Sequence, residues 1–150
     1  MPAPPGAVLF ACNLNRVRSP MAAGLMKRVF GSRIFVDSCG LRSDGETCAD
    51  TFAVTVLDEL GVDLSGHHPK TFDDLEDLSF DVVISLTPEA QHRAVELARR
   101  SAVEIEYWPT FDPTLTEGSR EAVLDAYRHV RDTLEARILA RFPQIRTFGG

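Results

Sequence analysis

Basic residues are in deficit. Sixteen lysines and arginines stand against 22 aspartates and glutamates in 150 residues, a formal net charge of −6. That balance argues against a general nucleic-acid binder, whose phosphate-facing surface must be basic. It still leaves room for a local anion site, because a few backbone N–H groups and one arginine outweigh distant carboxylates at short range. Cysteine is also scarce: Cys12, Cys39 and Cys48 are the only three, with 26 and 8 residues between them. The odd count and the spacings match no common zinc or disulfide framework, so no metal is expected and a reducing compartment is the simplest reading. No apolar run approaches the roughly 20 residues that span a bilayer. The start, Met1 to Gly6, lacks the positive n-region of a signal peptide. A cytoplasmic protein with no membrane or nucleic-acid partner is expected.

The rest of the composition is ordinary, 44% apolar and 25% charged, and the length suits one domain with a real core. The reading is a single domain over 1–150, with 1–6 as a loose leader and 143–150 as a tail. Ala7 to Ala11 is a short apolar run of the buried-strand type. A polar, basic turn follows from Cys12 to Arg18, and Ser19-Pro20 reads as N-cap and first residue of a helix that stops at Gly31. Further strands are predicted at Ile34–Asp37, Asp81–Leu86 and Val103–Trp108. Helices are predicted at Asp50–Leu60, Pro88–Arg100 and Ser119–Phe142, with a short one at Phe72–Leu78. Alternating strands and helices imply an α/β three-layer sandwich: a four-stranded parallel sheet with helices on both faces. Ligands of such sheets sit at the carboxyl ends of the strands.

At one such end stands Cys12-Asn13-Leu14-Asn15-Arg16-Val17-Arg18-Ser19, which is a cysteine, five residues, an arginine and a serine. A loop curled into a helix N-terminus aims several N–H donors at one spot, where the helix dipole adds roughly half a positive charge. Phosphate, sulfate or vanadate fits such a cradle, and Arg18 can add a planar fork of donors. Asn13, Leu14, Asn15, Arg16, Val17 and Ser19 would complete it. Helix N-termini and cations favour the thiolate of a cysteine placed beneath them, and a thiolate under a phosphoryl group is aligned for in-line attack. Cys-x5-Arg alone is a weak pattern; with the serine, a strand before and a helix after, it is strong.

Val8–Cys12 and Arg18–Ala22 resemble the phosphate loop of low-molecular-weight protein tyrosine phosphatases, which is shared by thioredoxin-coupled arsenate reductases. The resemblance continues through Val36–Ser38, Gly61–His67 and Phe80–Ile84, and ends at Asp112-Pro113. It implies Cys12 as nucleophile, Arg18 as phosphate clamp and Asp112 as general acid, with no cofactor and a phosphorylated protein or small phosphomonoester as partner. It also implies that Asn15 buttresses the loop. A poor leaving oxygen needs protonation as its bond breaks, and that is the work Asp112 would do.

Three departures matter. Leu14 stands where the family usually has glycine, and so must tolerate or shift a backbone angle. Val17 replaces a cysteine able to form a protective disulfide, and Thr114-Leu115 follow Asp112-Pro113 where aromatic residues are common. Tyr107, Trp108 and Phe111 offer an apolar wall or belong to the core. Arg16 reads as lining the pocket mouth, and Cys39 as a core residue with a lesser chance of redox partnership with Cys12. His67 and His68 read as structural rather than metal-binding, since adjacent side chains diverge and no third ligand is near. The leading function is metal-independent phosphomonoester hydrolysis. Arsenate reduction needs a relay of later cysteines, and none follows Cys48. A non-catalytic phosphate-binding module is the third reading.

Overall fold

A computed structural model describes residues 5–143 of the protein. Four strands, β1 (Ala7–Cys12), β2 (Phe35–Gly40), β3 (Val82–Ser85) and β4 (Glu104–Tyr107), form one parallel sheet in the order β2-β1-β3-β4. The helices are α1 (Arg18–Phe30), α2 (Thr51–Asp58), α3 (Pro88–Ala98) and α4 (Arg120–Arg141). Val8 to Ala11 are fully buried, as a strand covered on both faces must be. Val8, Phe10 and Cys12 join the core under α1, α2 and α4, while Leu9, Ala11 and Cys39 face the core under α3. The result is the expected three-layer sandwich. The chain leaves β1 for β2 on one side and later returns to β3 on the other, so the end of β1 is the topological switch point where α/β sheets open a crevice.

Local chemistry explains most element starts. Asp50 caps α2, accepting from the N–H groups of Phe52 and Ala53. Thr87 caps α3 ahead of Pro88, and Ser119 caps α4. One expectation fails here: α1 begins at Arg18 behind Val17, with no side-chain cap, because the Ser19 hydroxyl is engaged elsewhere. The expected helix at Phe72–Leu78 is a single 3-10 turn, Phe72–Asp74. Asp74 caps back onto Thr71, and Leu75 is already extended, so the acidic run Asp73-Asp74-Leu75-Glu76-Asp77 leaves that turn as a loop with its carboxylates exposed. Most of the expected leader and tail lies outside the described residues. Gly6, at the leader's end, is held by Asp81, whose Oδ2 accepts from the N–H groups of Gly6 at 2.7 Å and Ala7 at 2.9 Å. No helix among the described residues is long and apolar enough to cross a membrane.

Glu59 ties α2 to α4. Its carboxylate accepts from Arg128 at 2.8 Å and Arg131 at 2.7 Å, and these bonds, Arg128 first, lower its pKa to about 2. A depressed carboxylate stabilises the fold above its unfolded pKa of roughly 4.3, and the contribution disappears as pH falls toward 2. Glu59 is about one-third exposed, so water screens the pair and the effect is modest. Glu59→Gln is expected to flatten the loss of stability between about pH 4.5 and 2 in acid titrations followed by circular dichroism. An unaltered acid limb would remove Glu59 from this role.

Candidate active site

The turn from Asn13 to Val17 is shaped by where its carbonyls go. The Asn13 carbonyl accepts from the N–H groups of Leu41 (2.8 Å) and Arg42 (3.1 Å). The Arg16 carbonyl accepts from Asp50 N–H (3.0 Å) and the Val17 carbonyl from Met21 N–H (3.0 Å). The Asn15 carbonyl accepts from His67 Nε2 at 2.8 Å, which requires the proton on Nε2. Burial holds His67 below the ordinary imidazole pKa, so its neutral form persists at physiological pH. The N–H groups of Leu14 to Val17, by contrast, donate to no acceptor among the described residues. Since buried backbone groups are nearly always paired, a turn that bonds four of its carbonyls inward and leaves four successive amides free is built to receive an acceptor.

Asn15 pins this shape. It is the one non-glycine with positive φ among the described residues, at 59°. Its Nδ2 donates to Ser19 Oγ (2.8 Å) and Ser38 Oγ (2.9 Å), and its Oδ1 accepts from Lys70 N–H (3.0 Å). The left-handed angle thus falls on Asn15, which tolerates it, and not on Leu14. Gly40 permits the close packing: a Cβ there would lie 2.8 Å from the Asn13 carbonyl and 2.9 Å from Asn15 N.

Cys12 forms the floor of a small cavity of about 120 Å³, whose lining includes Leu14, Arg18, Arg42, Asp50 and Asp112. Its Sγ lies 2.9 Å from Ser19 Oγ, which accepts from Asn15 and also lies 3.2 Å from the Cys39 carbonyl. A hydroxyl has one proton to donate. Beside a thiolate, Ser19 can turn that proton onto sulfur; beside a thiol, it can turn it to the carbonyl. Arg18 Nη1 donates to the Thr110 carbonyl at 3.0 Å, and its Nη2 lies 3.8 Å from Asp112 Oδ2. Asp112 Oδ1 accepts from Thr114 N–H (3.0 Å) and Oγ1 (2.6 Å), which fixes the carboxylate at the rim. Asn13 points its Oδ1 to the Thr87 hydroxyl at 2.7 Å, joining the turn to the start of α3.

The structure brings Cys12, Arg18 and Asp112 together at the turn from Asn13 to Val17, with Ser19 against the Cys12 sulfur. Arg16 borders the cavity, but its guanidinium turns away to the Cys48 carbonyl (3.1 Å) and Asp44 (3.5 Å), holding the 41–50 loop. Cys39 packs on the opposite face of the sheet from Cys12, and burial raises its thiol pKa far above the usual range, with Cys12 and Asp37 adding to the shift. That geometry does not support a Cys12–Cys39 partnership. Trp108 is core, whereas Tyr107 and Phe111 are exposed along a neighbouring hollow that also includes Asp112. Arg42, Asp50, Thr87 and Thr110 joined the site without a sequence pattern to announce them.

The family model for low molecular weight phosphotyrosine protein phosphatase matches residues 7–146, and the chain belongs to that family. Curated relatives include an arsenate reductase of Halalkalibacterium halodurans, 32% identical over 87% of this chain and 91% of the relative. A glutaredoxin arsenate reductase of Synechocystis sp. is 30% identical over 87% and 92%. Among solved structures, a low molecular weight protein tyrosine phosphatase from T. tengcongensis is similar at a TM-score of 0.71, with 26% identity and 88% and 94% of the two chains covered. The family thus includes both phosphatases and arsenate reductases.

Asn15→Ala removes three side-chain bonds and places alanine in a left-handed angle, so a stability loss of about 2–4 kcal/mol is expected by denaturant unfolding. Asn15→Gly, which accepts the angle, should lose about 1 kcal/mol less. Equal losses would show that the angle carries no strain; no loss in either would show that Asn15 pins nothing.

Proposed function

We propose that the protein hydrolyses phosphomonoesters, phosphotyrosine in proteins foremost, through a cysteinyl-phosphate intermediate and without a metal. The observation that supports this best is the turn itself: the amides of Leu14 to Val17 free, four carbonyls bonded inward, and the Cys12 sulfur at the cavity floor within 2.9 Å of a hydroxyl. In the first step the Cys12 thiolate attacks phosphorus; the S–P bond forms and the P–O bond to the leaving group breaks. The Asp112 carboxyl gives its proton to the departing oxygen. The turn amides and the Arg18 fork hold the three equatorial oxygens as charge redistributes. In the second step water attacks phosphorus and passes a proton to Asp112. The S–P bond breaks, and Ser19 stabilises the sulfur anion that leaves. A thiolate enzyme of this kind suits the reducing cytoplasm.

The names of the curated relatives favour a second reading, arsenate reduction. Reduction needs electrons from further thiols. Here Cys39 is buried on the far face of the sheet, Cys48 is exposed on the 41–50 loop, and no cysteine follows in the chain. Hydrolysis is the better fit to that arrangement.

Turnover of p-nitrophenyl phosphate is expected to survive EDTA and to vanish in Cys12→Ser. Asp112→Ala should lower kcat by about 10²–10³-fold while phosphate affinity changes little. Phosphate binding without turnover would favour a non-catalytic module. Arsenate reduction in the presence of glutaredoxin or thioredoxin, with no phosphatase activity, would reverse the ranking.

Arg18→Lys is expected to reduce kcat/KM by about 10²-fold, since a point charge cannot replace a planar fork. Near-normal kinetics in that variant would refute the clamp.

A further inference from the structure

Two features adjoin the phosphate cavity. The exposed Phe111 and Tyr107 line the neighbouring hollow, which shares Asn13, Arg18 and Asp112 with the cavity. Arg42 lines the cavity itself, at the head of the 41–50 loop. The position of Arg42 is set by the phosphate-binding turn itself, because its N–H donates to the Asn13 carbonyl at 3.1 Å. Its side chain is exposed and makes no ion pair or hydrogen bond among the described residues.

The other charges of the rim are already engaged. Arg16 is bound to Asp44 and the Cys48 carbonyl, and Arg18 to the Thr110 carbonyl beside Asp112. Asp50 caps α2 with its Oδ1, so the positive end of that helix offsets its charge. Arg42 remains as a cation with no ion-pair partner among the described residues, two residues beyond the end of β2 and with its backbone fixed to the turn that holds the phosphoryl group. An unpaired cation at a cavity mouth attracts an anionic group and disfavours a cationic one.

We propose that Arg42 is a specificity-determining residue that reads a second anionic group on the substrate. The substrate is then a phosphomonoester whose leaving group lies against Phe111 and Tyr107 and carries a carboxylate or second phosphate toward Arg42. That group belongs either to a small ester or to an acidic residue flanking a phosphorylated side chain. This inference rests on the phosphate site proposed above but not on turnover.

The test compares paired ligands. For the small-ester source the pair is 2-carboxy-4-nitrophenyl phosphate and its methyl ester. For the peptide source it is a phosphotyrosyl peptide flanked by aspartates and the same peptide flanked by alanines. Wild type is expected to prefer the anionic member of at least one pair in kcat/KM, mainly through KM, with the preference shrinking as salt rises. Arg42→Gln should reduce that preference roughly fivefold, the scale of an exposed ion pair, and Arg42→Glu should invert it; Arg42→Lys should restore most of it. The pair that responds identifies the source.

Affinities of a carboxylated benzylphosphonate and its methyl ester, measured by calorimetry in wild type and Arg42→Gln, give the same comparison without turnover. A carboxylate preference that depends on Arg42 in an enzyme that hydrolyses nothing would overturn the hydrolytic reading and leave this one standing. No preference in wild type, or equal loss for both members of every pair in Arg42→Gln, would overturn the role of Arg42.

Discussion

The site depends on one constraint: the turn after β1 must aim the carbonyls of Asn13, Asn15, Arg16 and Val17 into the protein while the amides of Leu14 to Val17 stay free. Four separate parts of the chain enforce it. The segment after β2 supplies the N–H groups of Leu41 and Arg42, the start of α2 that of Asp50, the 60s loop the His67 imidazole, and α1 the Met21 N–H. Each is a modest hydrogen bond, worth about 0.5–1.5 kcal/mol on its own. Together they impose a shape that the turn would not hold unaided, since free buried amides are unfavourable. Preorganisation of this kind is what makes fixed dipoles effective for a developing charge.

The sheet explains why these contributors converge. β1 is central, flanked by β2 and β3, and its end is where the topology reverses. Segments leaving neighbouring strands therefore pass over the same spot. Gly40 lets β2's exit approach the turn without a Cβ in the way, and Thr87 brings the start of α3 to Asn13. The helix dipole of α1, the Arg18 fork and the Asp112 carboxylate meet at one cavity because each is anchored to a different element around that exit.

Local periodicity made the architecture legible. Short apolar runs and N-cap residues such as Asp50, Thr87 and Ser119 state their structure within a few residues. The eight residues from Cys12 to Ser19 likewise carry their own chemistry and context. What was not legible is set by distance in the chain. Nothing near Arg42 announces that its amide meets Asn13, and nothing near Arg16 says that its charge serves the 41–50 loop. Ser19 misled as a cap because its hydroxyl has a competing demand from Cys12 and the Cys39 carbonyl. The acidic run after Phe72 misled because helix-like composition does not overcome a capped turn followed by extended backbone. Leu14 departs from the family pattern without a left-handed backbone angle, since the unusual φ belongs to Asn15.

A crystal structure with vanadate bound addresses the central claim most directly. Vanadium should be bonded to Cys12 Sγ, with its oxygens accepting from the amides of Leu14 to Val17 and from the Arg18 guanidinium. Vanadate bound elsewhere, or the sulfur unbonded with those amides turned from the cavity, would contradict it.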